Sequence, residues 1–129
     1  MNLPENLKYT KEHEWIKIEG NVATIGITDY AQGELGELVY IEVETVGETI
    51  SRDEVFGTAE AVKTTSDLFM PLTGKVLEFN SELSESEGDN PGVINEDPYG
   101  KGWIIKVEIQ DKSEIDFLLD NNTYLELIV

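Results

Sequence analysis

Residues 56–69 constrain this chain most, because they read as a mirror about the Val62–Lys63 bond. Ala61 faces Thr64, Glu60 faces Thr65, Ala59 faces Ser66, Thr58 faces Asp67, and Phe56 faces Phe69. Small and β-branched residues on both arms suit an antiparallel hairpin, with the outer phenylalanines at its base where a core can take them. The centre lacks the Asn-Gly or Asp-Gly of a primed two-residue turn, so its shape must come from the strands beneath it. Lys63 then stands at the tip. A solvated lysine is ordinary surface, but this chain holds nine basic residues against 27 acidic ones, and this lysine sits at a symmetry centre among small side chains. A lysine so placed is presented rather than packed, and its amine is a common target of acylation, which removes its charge.

Composition narrows the functional classes. At 129 residues and 40% hydrophobic content the chain suits one domain, residues 1–129, around one sizeable core. A formal charge of −18 repels nucleic acid and anionic membrane surfaces and steers the protein toward basic patches on partners. With no cysteine there is no disulfide framework, thiolate zinc site or cysteine nucleophile. His13 is the single histidine, which leaves little scope for a metal site or a relay of imidazoles. Residues 1–5 carry neither a basic segment nor an apolar run, and no later stretch is long enough to cross a bilayer. The expectation is a soluble, cytoplasmic monomer that binds neither nucleic acid nor membrane.

Short apolar alternations extend the β character. Strands are expected over 14–19, marked by Trp15, Ile16 and Ile18, and over 22–27, joined by a Gly20-Asn21 turn. Thr28 and Asp29 are candidate N-caps of a short helix that Gly36 ends. Further strands are expected over 37–44, 49–51 and 75–79, with a turn at Val46-Gly47-Glu48 and a bend through Pro71 and Gly74. Residues 84–90 are acidic and lack apolar anchors, which predicts a mobile loop. Residues 95–102 are dense in turn formers, and 103–109 resume a strand. Capping-box spacings at Ser113/Asp116 and Thr123/Glu126 predict a helical C-terminus, broken at Asn121-Asn122. A mainly β barrel or sandwich with a projecting hairpin accommodates this plan better than a parallel sheet does.

Several separated motifs then carry a resemblance over nearly the whole chain. They are Tyr9-Thr10-Lys11-Glu12-His13-Glu14-Trp15, Gly26-Ile27-Thr28-Asp29-Tyr30-Ala31-Gln32, Glu60-Ala61-Val62-Lys63, Ser66-Asp67, and the run from Asn95 to Trp103. In order and spacing the chain resembles the glycine cleavage system H proteins. The resemblance implies a lipoyl/biotinyl-type barrel-sandwich hybrid with lipoate amide-linked to Lys63. It also implies a carrier that catalyses nothing itself. Such a carrier takes an aminomethyl group from glycine decarboxylase (P protein), presents it to aminomethyltransferase (T protein), and is reoxidised by dihydrolipoamide dehydrogenase (L protein). Biotin carriers share the fold but flank their lysine with methionines, whereas Val62 and Thr64 stand here and favour lipoate. Glu60 and Gly74 match positions that the lipoate-attaching enzyme reads. Glu60 is also an ordinary strand carboxylate, and Gly74 a turn glycine needing a positive φ.

An aminomethyl group on sulfur is prone to loss in water, so a carrier gains by shielding it in a cleft. Glu14, followed by Asp67 and Asp29, is the candidate to receive its charged amine. Each is equally a solvated carboxylate, and Asp29 a helix cap. His13 is either surface or cleft wall, while Trp15 and Trp103 are expected in the core. The chain departs from the family at Glu34, where some members place a histidine against the arm, and in a longer, more acidic 84–90 loop. Two other readings remain at this point. One is a lipoyl relay protein serving 2-oxo acid dehydrogenases, and the other an unmodified acidic interaction domain. An independent catalyst is disfavoured, since no nucleophile, base and orienter combine.

Overall fold

The β-branched segments assemble into two antiparallel sheets in the structure, a computed structural model that describes residues 2–129. The larger sheet has the order β1 (Lys8–Tyr9), β2 (Glu14–Glu19), β3 (Val22–Ile27), β9 (Ile105–Ile109), β8 (Gly74–Phe79) and β5 (Thr49–Ile50). The smaller runs β4 (Leu38–Glu42), β6 (Val55–Ala61), β7 (Thr65–Phe69). Helix α1 (Asp29–Leu35) follows β3, α2 (Val93–Glu96) precedes β9, and a 3-10 helix (Lys112–Phe117) leads to α3 (Asn121–Ile128).

Inward side chains of both sheets, among them Ile16, Ile25, Ile41, Phe56, Leu68 and Val107, share one buried core. A smaller cluster of Leu7, Tyr9, Trp15 and Tyr124 seats α3 against β1 and β2. There the rings of Tyr9 and Tyr124 stack with centroids 5.0 Å apart. Burial of each large side chain contributes about 1.5–3 kcal/mol, which is what holds so short a helix in place. Trp15 lies flat on the β3 backbone. A Cβ at Gly26 would come within 2.6 Å of its indole, whose N–H donates to the Pro98 carbonyl at 2.9 Å.

The hairpin pairs Glu60 with Thr65, Ala59 with Ser66 and Thr58 with Asp67, as its mirror symmetry predicts. Its base differs. A register shift between Val55 and Gly57 sets Val55 opposite Phe69, so Phe56 does not face Phe69 but turns into the core. A bulge does this by adding a residue to one strand only.

Other expectations need correction. β1 precedes the first expected strand and is too short to show a period. Asn95 and Glu96 belong to α2, a single turn hidden among turn formers. β9 starts at Ile105, leaving Trp103 half-buried against the smaller cluster. Residues 84–90 form turns rather than an unanchored loop. Gly88 N–H donates to Ser81 O at 2.9 Å, Asn90 N–H donates to Glu82 O at 2.8 Å, and the neighbouring Leu83 is buried. At the C-terminus Asp111 caps the 3-10 helix and Asp120 caps α3. Asn121-Asn122 therefore opens α3 instead of breaking a helix.

Candidate functional site

The hairpin tip takes its shape from its neighbours. Ala61 N–H donates to Thr64 O at 2.7 Å, and Val62 N–H donates to Glu37 O at 3.0 Å, just ahead of β4. Val62 and Lys63 stay exposed. Thr28 starts α1, its hydroxyl accepting from Ala31 N–H at 3.1 Å, and Gly36 ends it at φ 83°. The Lys63 stem lies over Gly36, where a Cβ would stand 3.4 Å from Cε. Asn95 locks this corner. Its Nδ2 donates to Gln32 Oε1 at 2.9 Å and Gly36 O at 2.8 Å, and its Oδ1 accepts from Leu38 N–H at 3.0 Å. An α2 residue thus fixes both the end of α1 and the start of β4.

Beside this corner is a cleft of about 230 Å³. Helix α1 supplies one wall through Tyr30, Ala31, Glu34 and Leu35, and β7 another through Ser66, Asp67 and Leu68. Glu12, His13 and Glu14 close the side toward β2. Ser66 follows Lys63 by three residues, which span at most about 11 Å of chain, and Leu35 adjoins the glycine under the lysine stem. The cleft therefore opens next to the lysine.

Glu14 is the unusual group in it. Only 2% exposed, its Oε1 accepts from the Thr10 hydroxyl at 2.6 Å and its Oε2 from Phe69 N–H at 3.4 Å. Burial pushes its pKa up to about 8, outweighing those two hydrogen bonds, which favour the charged form. Near neutral pH the carboxyl is thus mainly protonated. Asp67, Glu12 and Glu34 add carboxyl groups along the same cleft.

His13 is a wall of the cleft rather than plain surface. It adopts φ 72°, its Nδ1 lies 2.8 Å from the Tyr124 hydroxyl, and its ring sits 5.0 Å from that of Tyr30. Burial lowers its pKa, partly offset by Glu12 and Glu34. Asp29 is not brought to the cleft. It occupies the first turn of α1, where its Oδ1 accepts from Gln32 Nε2 at 2.8 Å, and the capping role belongs to Thr28. Glu60 is half-buried on β6, between Tyr40 and Thr65. Gly74 opens β8 without a positive φ. Its lack of a side chain serves close packing instead, since a Cβ would stand 3.0 Å from Glu108 O and 3.1 Å from Val107 Cγ2.

A small two-sheet domain that presents a lysine at the tip of a hairpin, beside a cleft lined by carboxyls, has the layout of a carrier domain. Comparison with known proteins specifies which. The Glycine cleavage H-protein family profile matches residues 7–129. The glycine cleavage system H protein of Bacteroides thetaiotaomicron is 53% identical over 128 residues, covering 99% of this chain and 98% of its own. That of Staphylococcus haemolyticus is 51% identical with the same coverage. The crystal structure of a glycine cleavage system H protein from Mycobacterium marinum superposes with a TM-score of 0.82 at 35% identity, over 96% of this chain and 97% of that one. The chain belongs to the glycine cleavage H-protein family. It is a lipoyl carrier of the glycine cleavage system, without catalytic activity of its own. No helix among the described residues is long and apolar enough to cross a membrane.

Proposed function

We infer that Lys63 is the point of lipoate attachment and that the neighbouring cleft shelters the carried aminomethyl group. The observation that carries this reading is a buried carboxyl, Glu14, in the wall of a cleft that opens beside a presented lysine. The residues fit the group. Ile27, Leu35 and Leu68 give apolar lining, Asp67 and Glu34 give negative charge for an ammonium, and Glu14 gives a buried carboxyl beside them. Lipoate, when bound, supplies a dithiol that holds the aminomethyl group and closes to a disulfide on reoxidation.

The chain's own work is to receive charge and exclude water. A cation entering the cleft draws Glu14 from its protonated to its ionised form, because a nearby opposite charge lowers a carboxyl pKa that burial had raised. Asp67 and Glu34 attract the amine from positions nearer the mouth of the same cleft. Glu34 makes this mouth more anionic than in relatives that carry histidine there. Asp29, held by Gln32 on the far side of α1's first turn, takes no part.

In this reading a single-domain, cytoplasmic monomer serves the P, T and L proteins in turn, its charge of −18 steering it to basic docking patches. The lipoate-attaching enzyme recognises the folded hairpin through Glu60, with Gly74 keeping the sheet behind it tightly packed. Retention tests the reading. Lipoylated Glu14→Ala protein, loaded with the aminomethyl group, should release ammonia markedly faster than the unsubstituted carrier; equal release would refute the role of the cleft.

A further inference from the structure

The cleft wall is tied to the far end of the chain through one hydroxyl. Tyr124, fully buried on α3, places its Oη 2.8 Å from His13 Nδ1 and 2.8 Å from Thr28 Oγ1. Thr28 is itself fully buried, and its Oγ1 already accepts from Ala31 N–H. Counting protons decides the direction of both contacts. The Thr28 hydroxyl proton has one acceptor within reach, Tyr124 Oη. Tyr124 must then accept from Thr28 and donate to His13 Nδ1. The reverse arrangement would bury the Thr28 proton without a partner, at a cost a fold avoids. His13 is therefore the neutral tautomer with its proton on Nε2.

That proton has a use in the cleft. The ring forms part of the wall, and with Nδ1 turned to Tyr124 the nitrogen left for the cleft is Nε2. Of the other side-chain hydroxyls there, Ser66 donates to Asp67 O at 3.3 Å, and Tyr30 stands with Glu34 on the α1 wall. The remaining polar groups are carboxyls suited to an amine, whereas a lipoyl arm also brings acceptors, its amide oxygen and sulfurs. His13 is held by more than its ring, since Thr28 N–H donates to His13 O and His13 N–H to Thr10 O, both at 3.0 Å.

We propose that Tyr124 is a positioning residue for the arm cleft, fixing His13 so that its Nε2–H is presented as the donor to an acceptor atom of the arm. This rests on the cleft reading above. It makes the C-terminal helix part of the carrier site, although α3 contributes no residue to the cleft itself.

Because His13 is the single histidine, its imidazole signals in nitrogen-15 NMR are unambiguous. The unmodified protein should show the Nε2–H tautomer at neutral pH, and Tyr124→Phe, which keeps the ring stacked on Tyr9, should show a mixture of both. An Nδ1–H pattern in the unsubstituted protein, or an unchanged pattern in Tyr124→Phe, would overturn the proposal. Retention by the loaded, lipoylated protein supplies a second readout. Tyr124→Phe should shorten it roughly fivefold, the scale of one positioned hydrogen bond, and should have no effect in a His13→Asn background, asparagine being tolerant of the left-handed φ. Equal shortening in both backgrounds would mean a purely structural tyrosine and refute the proposal, as would no shortening in either. Glu14→Ala separates the two ideas. If it leaves retention unchanged the cleft reading fails, while the tautomer and the two-background comparison still judge Tyr124.

Discussion

Replacing Glu14 by glutamine should stabilise the unmodified protein in alkali and change its stability little in acid. The reason is the carboxyl pKa of about 8 in the fold against an ordinary 4.5. A carboxyl whose pKa is raised by folding binds more protons folded than unfolded, so stability falls as pH rises from about 4.5 to about 8. Below that window both states are protonated and nothing is lost; above it the loss is complete. The full difference is on the order of 5 kcal/mol at pH 9, and about 1 kcal/mol at pH 5. Glutamine cannot ionise and escapes this loss. Like the protonated carboxyl it has one carbonyl oxygen, for Phe69 N–H, and one donor, for the Thr10 hydroxyl oxygen, so its cost against that form is small, on the order of 1 kcal/mol. The variant should therefore be about 4 kcal/mol more stable than the unsubstituted protein at pH 9 and equal to it within about 1 kcal/mol at pH 5. Urea unfolding of both proteins across this range measures the difference, in which the titration of the other carboxyls cancels. Parallel stability curves would show that Glu14 is not the buried, proton-holding group described here.

Two further outcomes follow from the packing and the charge. Gly26→Ala should lower unfolding stability by about 3 kcal/mol, read from the urea midpoint, because the added Cβ meets the buried Trp15 ring, which has nowhere to move. Docking of the lipoylated protein to each enzyme of the glycine cleavage system should slow steeply with ionic strength, as steering by a carrier of charge −18 requires; association rates that are flat in salt would refute steering.

Much of this architecture is legible in the residues because it is local. The hairpin declares its register by symmetry from Glu60 and Thr65 down to Gly57 and Leu68, where each strand residue has a counterpart at equal distance from the tip. Thr28 and Gly36 bracket α1 with ordinary cap chemistry. What escapes the sequence is set by contacts at long range. Glu14 stands out among 27 acidic residues only through the family motif around it; neither composition nor periodicity shows that it is buried, with Thr10 and the Phe69 N–H as its partners. His13 and Tyr124 lie 111 residues apart and meet through the C-terminal cluster, which no periodicity reveals. Gly74 invites an explanation by φ, yet its reason is the approach of β9. The bulge at the hairpin base and the one-turn helix α2 are likewise too small to leave a pattern, although α2 supplies Asn95, the residue that fixes the corner under Lys63.

Whether Lys63 bears the lipoyl arm is decided by the intact and peptide mass of the protein isolated from its own lipoate-replete cells, with Lys63→Arg alongside. The expected result is a lipoyl mass increment confined to the peptide containing Lys63 and absent from the variant. A bare Lys63, or the increment on any other lysine, would contradict it.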